Sequence, residues 1–264
     1  MAGEGLKVTV EGGVARLTFA RPERHNAFDD VLIDAITAAL ERVGADPAVR
    51  VVQLAGEGKS FSAGADLGWM RRMAGYGEAE NLADARALAR MLRTLNELPK
   101  PTVARVHGPC YGGGVGLVAA CDITVATPSA QFVLSEARLG LTPSTISPYV
   151  VQAIGARAAR RYFLTAKPIR AAEALDLGLI HVLVYRERLD HTVDDITASL
   201  LRNGPNAIAE CKWLVGRVAA GPVDDAMIDE TARHIARVRV SAEGREGIAA
   251  FLEKRAPKWR GAGS

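Results

Sequence analysis

Three stretches of this chain carry residue types that could do chemistry. The first is Gly56-Glu57-Gly58-Lys59-Ser60-Phe61-Ser62-Ala63-Gly64-Ala65-Asp66, and the second is Gly108-Pro109-Cys110-Tyr111-Gly112-Gly113-Gly114. Each follows an apolar, strand-like run and leads into a segment expected to be helical. The first N–H groups of a helix have no partner within it, and the helix dipole favours negative charge there. Small residues let a ligand come close to the backbone. Two such loops side by side could offer two N–H donors to one carbonyl oxygen, an oxyanion hole for an enolate or a tetrahedral intermediate. Two tight turns in a packed core would leave the same sequence, and spacing alone keeps both readings open.

The third is Glu136, in Phe132-Val133-Leu134-Ser135-Glu136-Ala137-Arg138-Leu139-Gly140-Leu141. A carboxyl group between apolar segments loses part of its hydration, which raises its pKa towards the range useful for proton transfer. A surface ion pair with Arg138 is the other reading of the same residues. Alternative chemistries find less support. His25, His107, His181, His191 and His234 have no metal-ligand spacing. No GxxxxGK[ST] phosphate loop and no GxSxG nucleophile elbow occurs.

The elements that must position these residues follow from periodicity. Ala15, Leu17 and Phe19 alternate as in a half-buried strand. Leu32, Ile33, Ile36, Leu40 and Val43 recur at helical spacing, with Asp29 or Asp30 as N-cap and Gly44 and Pro47 as terminators. Val49 to Leu54 reads as a buried strand. Leu82, Ala85, Leu88, Leu92 and Leu95 mark an amphipathic helix that ends before Pro99. Thr102–Val106, Ile123–Ala126 and Gln131–Leu134 read as strands, and a small-residue helix runs from the second glycine loop to Cys121. Beyond Ser147-Pro148, a helix start with proline in its first turn, the pattern is mostly helical. Helices are expected around 147–158, 171–177, 193–201, 207–219, 224–238 and 243–254.

Hydrophobic residues at 48% and charged residues at 24% describe a globular chain and exclude disorder as the main state. The balance of 33 − 30 = +3 is too small to indicate nucleic acid as the main partner. Cys110, Cys121 and Cys211 are odd in number and lack ligand spacing, which suits a reducing, cytoplasmic compartment. Residues 1–10 contain no signal-like apolar segment, and no stretch reaches the ~18 apolar residues of a membrane span.

The motifs together resemble the crotonase superfamily, the enoyl-CoA hydratases and isomerases. Phe61-Ser62-Ala63-Gly64-Ala65-Asp66-Leu67 resembles its first signature. Val106-His107-Gly108 through Gly112-Gly113-Gly114 to Ala120-Cys121-Asp122 resembles the second. Ser135-Glu136 with Leu139-Gly140-Leu141 resembles the third. Arg21-Pro22-Glu23-Arg24-His25-Asn26-Ala27 and Phe251-Leu252-Glu253-Lys254-Arg255-Ala256-Pro257 resemble the N- and C-terminal ones. The likeness runs in order from about residue 6 to 260.

The resemblance implies an α/β fold, a spiral of ββα turns (taken as 1–200) followed by a helical trimerisation region (201–264). It implies an acyl-CoA thioester as substrate, no separate cofactor or metal, and a homotrimer or dimer of trimers. It also implies Glu136, Ala65 and Gly113 as the catalytic set, the last two through their backbone N–H groups on the thioester oxygen. Ala63, Gly64, Asp66, Leu67 and Gly116 would lie along the acyl-CoA channel, with Arg24 and Ala27 near its outer part and Lys254 near the CoA phosphates. One departure stands out. Hydratases of this family carry two glutamates, and the first is replaced by Gly116, since 136 − 116 = 20 is the family spacing. A single carboxylate suffices for an isomerase that moves one proton.

A second likeness points to hydration. Gly112-Gly113-Gly114-Val115-Gly116-Leu117, Ser147-Pro148-Tyr149-Val150-Val151 and Arg160-Arg161-Tyr162-Phe163-Leu164-Thr165 resemble the 3-methylglutaconyl-CoA hydratases of leucine degradation and the related isohexenylglutaconyl-CoA hydratases. The expectation is hydration of a branched glutaconyl-type enoyl-CoA. Enoyl-CoA isomerisation and non-catalytic binding of acyl-CoA or RNA are the competing readings. Such a substrate carries a far carboxylate, which an arginine would suit. Arg71, Arg72 and Arg138 are placed for it by sequence alone, and Trp69, Met70 and Tyr76 are candidate acyl-pocket walls.

Overall fold

A computed structural model describes residues 5–260; the extreme ends of the two expected segments, 1–4 and 261–264, lie outside the described residues. The chain opens with a hairpin of β1 (Leu6–Glu11) and β2 (Val14–Phe19). Its two-residue turn is Gly12-Gly13, both at positive φ (56° and 82°), the turn whose twist matches paired strands. β1 went unread in the sequence because Leu6 alone of its residues is buried. Helix α1 (Asp30–Ala45) starts where Asp29 accepts the Leu32 N–H at 2.9 Å, and its apolar stripe from Leu32 to Val43 is buried.

From β2 the sheet grows in parallel through β3 (Val51–Gly56), β4 (Thr102–Val106), β6 (Ile123–Ala126) and β9 (Val182–Leu183), in the order β1-β2-β3-β4-β6-β9. A second, three-stranded sheet joins β5 (Cys110–Tyr111), β7 (Gln131–Val133) and β8 (Ile169–Arg170). Between β3 and β4 run α2 (Leu67–Met73) and α3 (Glu78–Asn96). The seven-residue α2 begins directly after the first loop, before the stretch from Leu82 in which periodicity marks a helix. Helix α4 (Gly113–Ala120) follows β5 and is nearly all buried. Helices α5 (Ser147–Thr165), α6 (Ala171–Asp176) and α7 (Arg186–Leu201) come next, and α7 seals Leu189 and Val193 against Val51, Val103 and Val125 of the sheet.

The last three helices are α8 (Pro205–Ala219), α9 (Asp225–Val240) and α10 (Ala242–Leu252). The expected alternation of strands and helices, then a mostly helical stretch, is observed, with β8 and β9 as two short strands within the later part. No helix among the described residues is long and apolar enough to cross a membrane.

Candidate active site

The first glycine loop is tied down by the segment before α1. Asn26 is fully buried and stands at φ 56°. Its side-chain amide donates to the carbonyls of Glu57 and Ser60, both at 2.8 Å, and its Oδ1 accepts the Arg21 N–H at 3.0 Å. The Ala63 N–H donates to the His25 carbonyl, and the Ser62 hydroxyl to the Asn26 carbonyl, each at 2.9 Å. The loop then pairs with Phe28. The Phe28 N–H donates to the Gly64 carbonyl (2.8 Å), and the Asp66 N–H donates to the Phe28 carbonyl (3.0 Å). This parallel register uses the groups on either side of Ala65 and leaves the Ala65 N–H facing away, with no acceptor among the described residues.

The second loop lies against the first. The Tyr111 N–H donates to the Ser62 carbonyl at 2.9 Å, and the Gly112 N–H to the Val133 carbonyl at 2.8 Å. Gly64, at φ 81°, faces the Tyr111 carbonyl: a Cβ there would lie 3.0 Å from that oxygen. Gly112 has φ 49° and ψ −121°, a conformation that only glycine adopts readily. Gly113 is the first residue of α4, so its N–H is one of the helix's unpaired donors, and it too has no acceptor among the described residues. A Cβ on Gly113 would lie 2.4 Å from Cζ of Phe28, so the residue whose backbone pairs with the first loop packs its ring against the second.

Glu136 heads a 3-10 turn, Glu136–Leu139, after β7. A Cβ on Gly112 would lie 3.2 Å from its Oε1, which sets the carboxyl beside the glycine loop. Its Oε2 is buried with no hydrogen-bond partner. Burial pushes the Glu136 pKa up, and its own backbone N–H offsets part of that. The ion pair with Arg138 does not form, because Arg138 donates instead to the Ala166 carbonyl at the C-terminal end of α5. An acid held above its ordinary range, with an unpaired oxygen, can take up and return a proton.

Ala63, Gly64, Ala65, Gly113 and Glu136 line one cavity of about 390 Å³. Its other walls are mostly apolar, from α2 (Trp69, Met70, Met73), α3 (Ala85, Leu88) and Ile146 before α5. A larger cavity of about 930 Å³ between α4, α5 and α8 contains neither glycine loop nor Glu136. The smaller one is the candidate site, since it brings both glycine loops and a carboxyl together.

The remaining expected residues stand elsewhere. Gly116 does not line the cavity. A Cβ there would lie 2.3 Å from Ile146 Cγ2 and 2.8 Å from Ile146 Cβ, so the space a side chain would need is filled. Asp66 caps α2, accepting the N–H groups of Gly68 (2.7 Å) and Trp69 (3.2 Å), and lies 3.5 Å from Arg24. Ala27 is buried, Leu67 is exposed at the start of α2, and Lys254 is exposed after α10. None of these lines the cavity, nor do Tyr76, Arg71, Arg72 or Arg138. Arg72 pairs with Asp30 at 2.6 Å. Sequence reasoning missed Asn26, Phe28 and Ile146, which position the site, and Asp84, which lines it. The signal for Asp84 was a charged residue on the apolar stripe of α3; Ile146 left none.

The sequence model of a family described as enoyl-CoA hydratase/isomerase matches residues 9–262. The crystal structure of an enoyl-CoA hydratase from Shewanella pealeana superposes with a TM-score of 0.94 and 44% identity, covering 97% of this chain and 96% of that one. The enoyl-CoA hydratase ACTT6 of Alternaria alternata is 35% identical, over 94% of this chain and 82% of its own. The 1,2-epoxyphenylacetyl-CoA isomerase of Escherichia coli K12 is 31% identical, over 96% of this chain and 97% of its own.

Proposed function

Because the chain belongs to the enoyl-CoA hydratase/isomerase family, we propose that it adds water across the double bond of an enoyl-CoA thioester. In this reading the N–H groups of Ala65 and Gly113 hold the thioester oxygen as it becomes an enolate, and Glu136 moves the proton. The observation that carries it is the buried, partnerless Glu136 oxygen in a cavity shared with two free N–H donors. Isomerisation is the second reading, favoured by Ile146 occupying the space beside Gly116. One proton shuttle is enough to move a double bond.

For the acyl group, motif likeness alone supports 3-methylglutaconyl-CoA. Its far carboxylate calls for a cation, yet among the described residues no Lys, Arg or His lines the cavity. The walls suit a short or branched apolar acyl chain better. The exposed apolar side chains of the last three helices, among them Val215, Ile228, Ile248, Phe251 and Leu252, support a helical assembly region and a trimer, which sedimentation would count. Incubating the protein with crotonyl-CoA, 3-methylglutaconyl-CoA and a 3-enoyl-CoA, with products identified by mass, tests the reaction. Gain of one water supports hydration; an unchanged mass with a shifted double bond overturns it in favour of isomerisation.

A further inference from the structure

The position from which α4 could offer a second carboxylate is closed by Ile146, and the Leu92 side chain of α3 lies 3.5 Å from the same point. N-terminal to Leu92, α3 runs along the cavity, with Asn81, Asp84, Ala85 and Leu88 in its wall. The spacing 81, 84, 85, 88 is one helix face. Asp84 is therefore a charged group on an apolar stripe, half-buried. Its Oδ2 accepts the indole N–H of Trp69 at 3.0 Å, and Trp69 is 4% exposed. That bond uses the one donor of the indole and fixes the carboxylate from α2, across the helix boundary. A carboxylate accepts several hydrogen bonds, and Asp84 has no other donor among the described residues. Among the described residues it is the sole carboxylate in the cavity wall apart from Glu136.

We propose that Asp84 is a positioning residue that accepts a hydrogen bond from the water adding to the substrate, so that α3 supplies what α4 cannot. This rests on the hydratase reading above. The water oxygen bonds to the β-carbon while one of its protons passes to Glu136. The electron pair of the double bond moves to the α-carbon and onto the thioester oxygen, held by the two N–H groups. Glu136 then returns the proton to the α-carbon. The second water proton, still on oxygen, points at Asp84 throughout and becomes the β-hydroxyl of the product.

Two reactions separate the roles: hydration of crotonyl-CoA, which needs a placed water, and exchange of the α-protons of butyryl-CoA in D2O, which needs the enolate and Glu136 alone. Asp84→Asn keeps an oxygen for Trp69. It is expected to lower kcat for hydration about 100-fold, the scale of a misplaced reactant, with KM and α-exchange changed less than threefold. Asp84→Glu should recover at least tenfold over the Asn variant, and Trp69→Phe should lose less than Asp84→Asn. Hydration within threefold of wild type in Asp84→Asn, or hydration and exchange falling together, would overturn the proposal while leaving the hydratase reading intact. Exchange without any water gain by the wild-type protein would overturn both.

Discussion

Gly116 to alanine sets two known effects against each other. Gly116 is the fourth residue of an eight-residue helix, where alanine is favoured over glycine by about 1 kcal/mol. Propensity alone therefore predicts a more stable protein. Packing predicts the reverse, because the new methyl would sit 2.3 Å from Ile146 Cγ2 and 2.8 Å from its Cβ. Attractive carbon contacts lie near ~3.5–4.0 Å. Ile146 is 2% exposed and immediately precedes α5, so it cannot swing into solvent. Overpacking of this kind costs about 1–3 kcal/mol, so the net is expected to be a loss of up to about 2 kcal/mol.

The partner substitution sharpens the test. Ile146→Ala removes Cγ2 and costs about 2–5 kcal/mol by itself. In that background the Cγ2 contact is gone and only the Cβ contact at 2.8 Å remains, so Gly116→Ala should cost less than in wild type, giving a coupling of up to about 3 kcal/mol. Urea denaturation of the four proteins measures all the terms. Stabilisation by about 1 kcal/mol in both backgrounds, with no coupling, would refute the reasoning that Ile146 closes this position. Since Ile146 also lines the cavity, the single variant is expected to raise KM as the displaced side chain enters acyl space.

Two further outcomes follow from the same geometry. Glu136 is held above its ordinary pKa of 4.5 by burial, so it contributes stability below that pH and loses it as pH rises through the folded value. Glu136→Gln should thus unfold at higher denaturant than wild type at pH 7, by about 1.4 kcal/mol for each pKa unit, and the two should converge below about pH 4; equal midpoints at pH 7 would contradict the burial. Gly113→Ala would drive a methyl into Phe28 and displace one N–H donor, with kcat expected to fall about 10²–10³-fold. A loss below threefold would show that this N–H does not face the reacting oxygen.

Much of this arrangement was legible in the residues because it rests on local rules. The period of α1, its Asp29 cap, the buried run of β3 and the small-residue loops each declare themselves within a dozen positions. Glu136 was legible as a carboxyl between apolar segments. What stayed hidden depends on contacts between distant segments. Ile146 and Gly116 are 30 residues apart, and no residue type announces that one fills the other's space. Arg138 looked like an ion-pair partner, but its acceptor is a backbone carbonyl, which sequence does not distinguish. Asp66 read as an acyl-CoA channel residue, yet it uses its carboxylate to cap α2, and Asn26, which the sequence did not single out, braces the first loop. Helix α2 escaped because a seven-residue helix offers too little periodicity to stand out.

The most direct test of Glu136 and the two free N–H groups as the reactive centre is α-proton exchange on butyryl-CoA in D2O, wild type beside Glu136→Gln. Deuterium entering at the α-carbon with the wild-type protein, and falling at least 100-fold with the variant, is the predicted result. Exchange that persists in Glu136→Gln would contradict it and place the base elsewhere in the cavity.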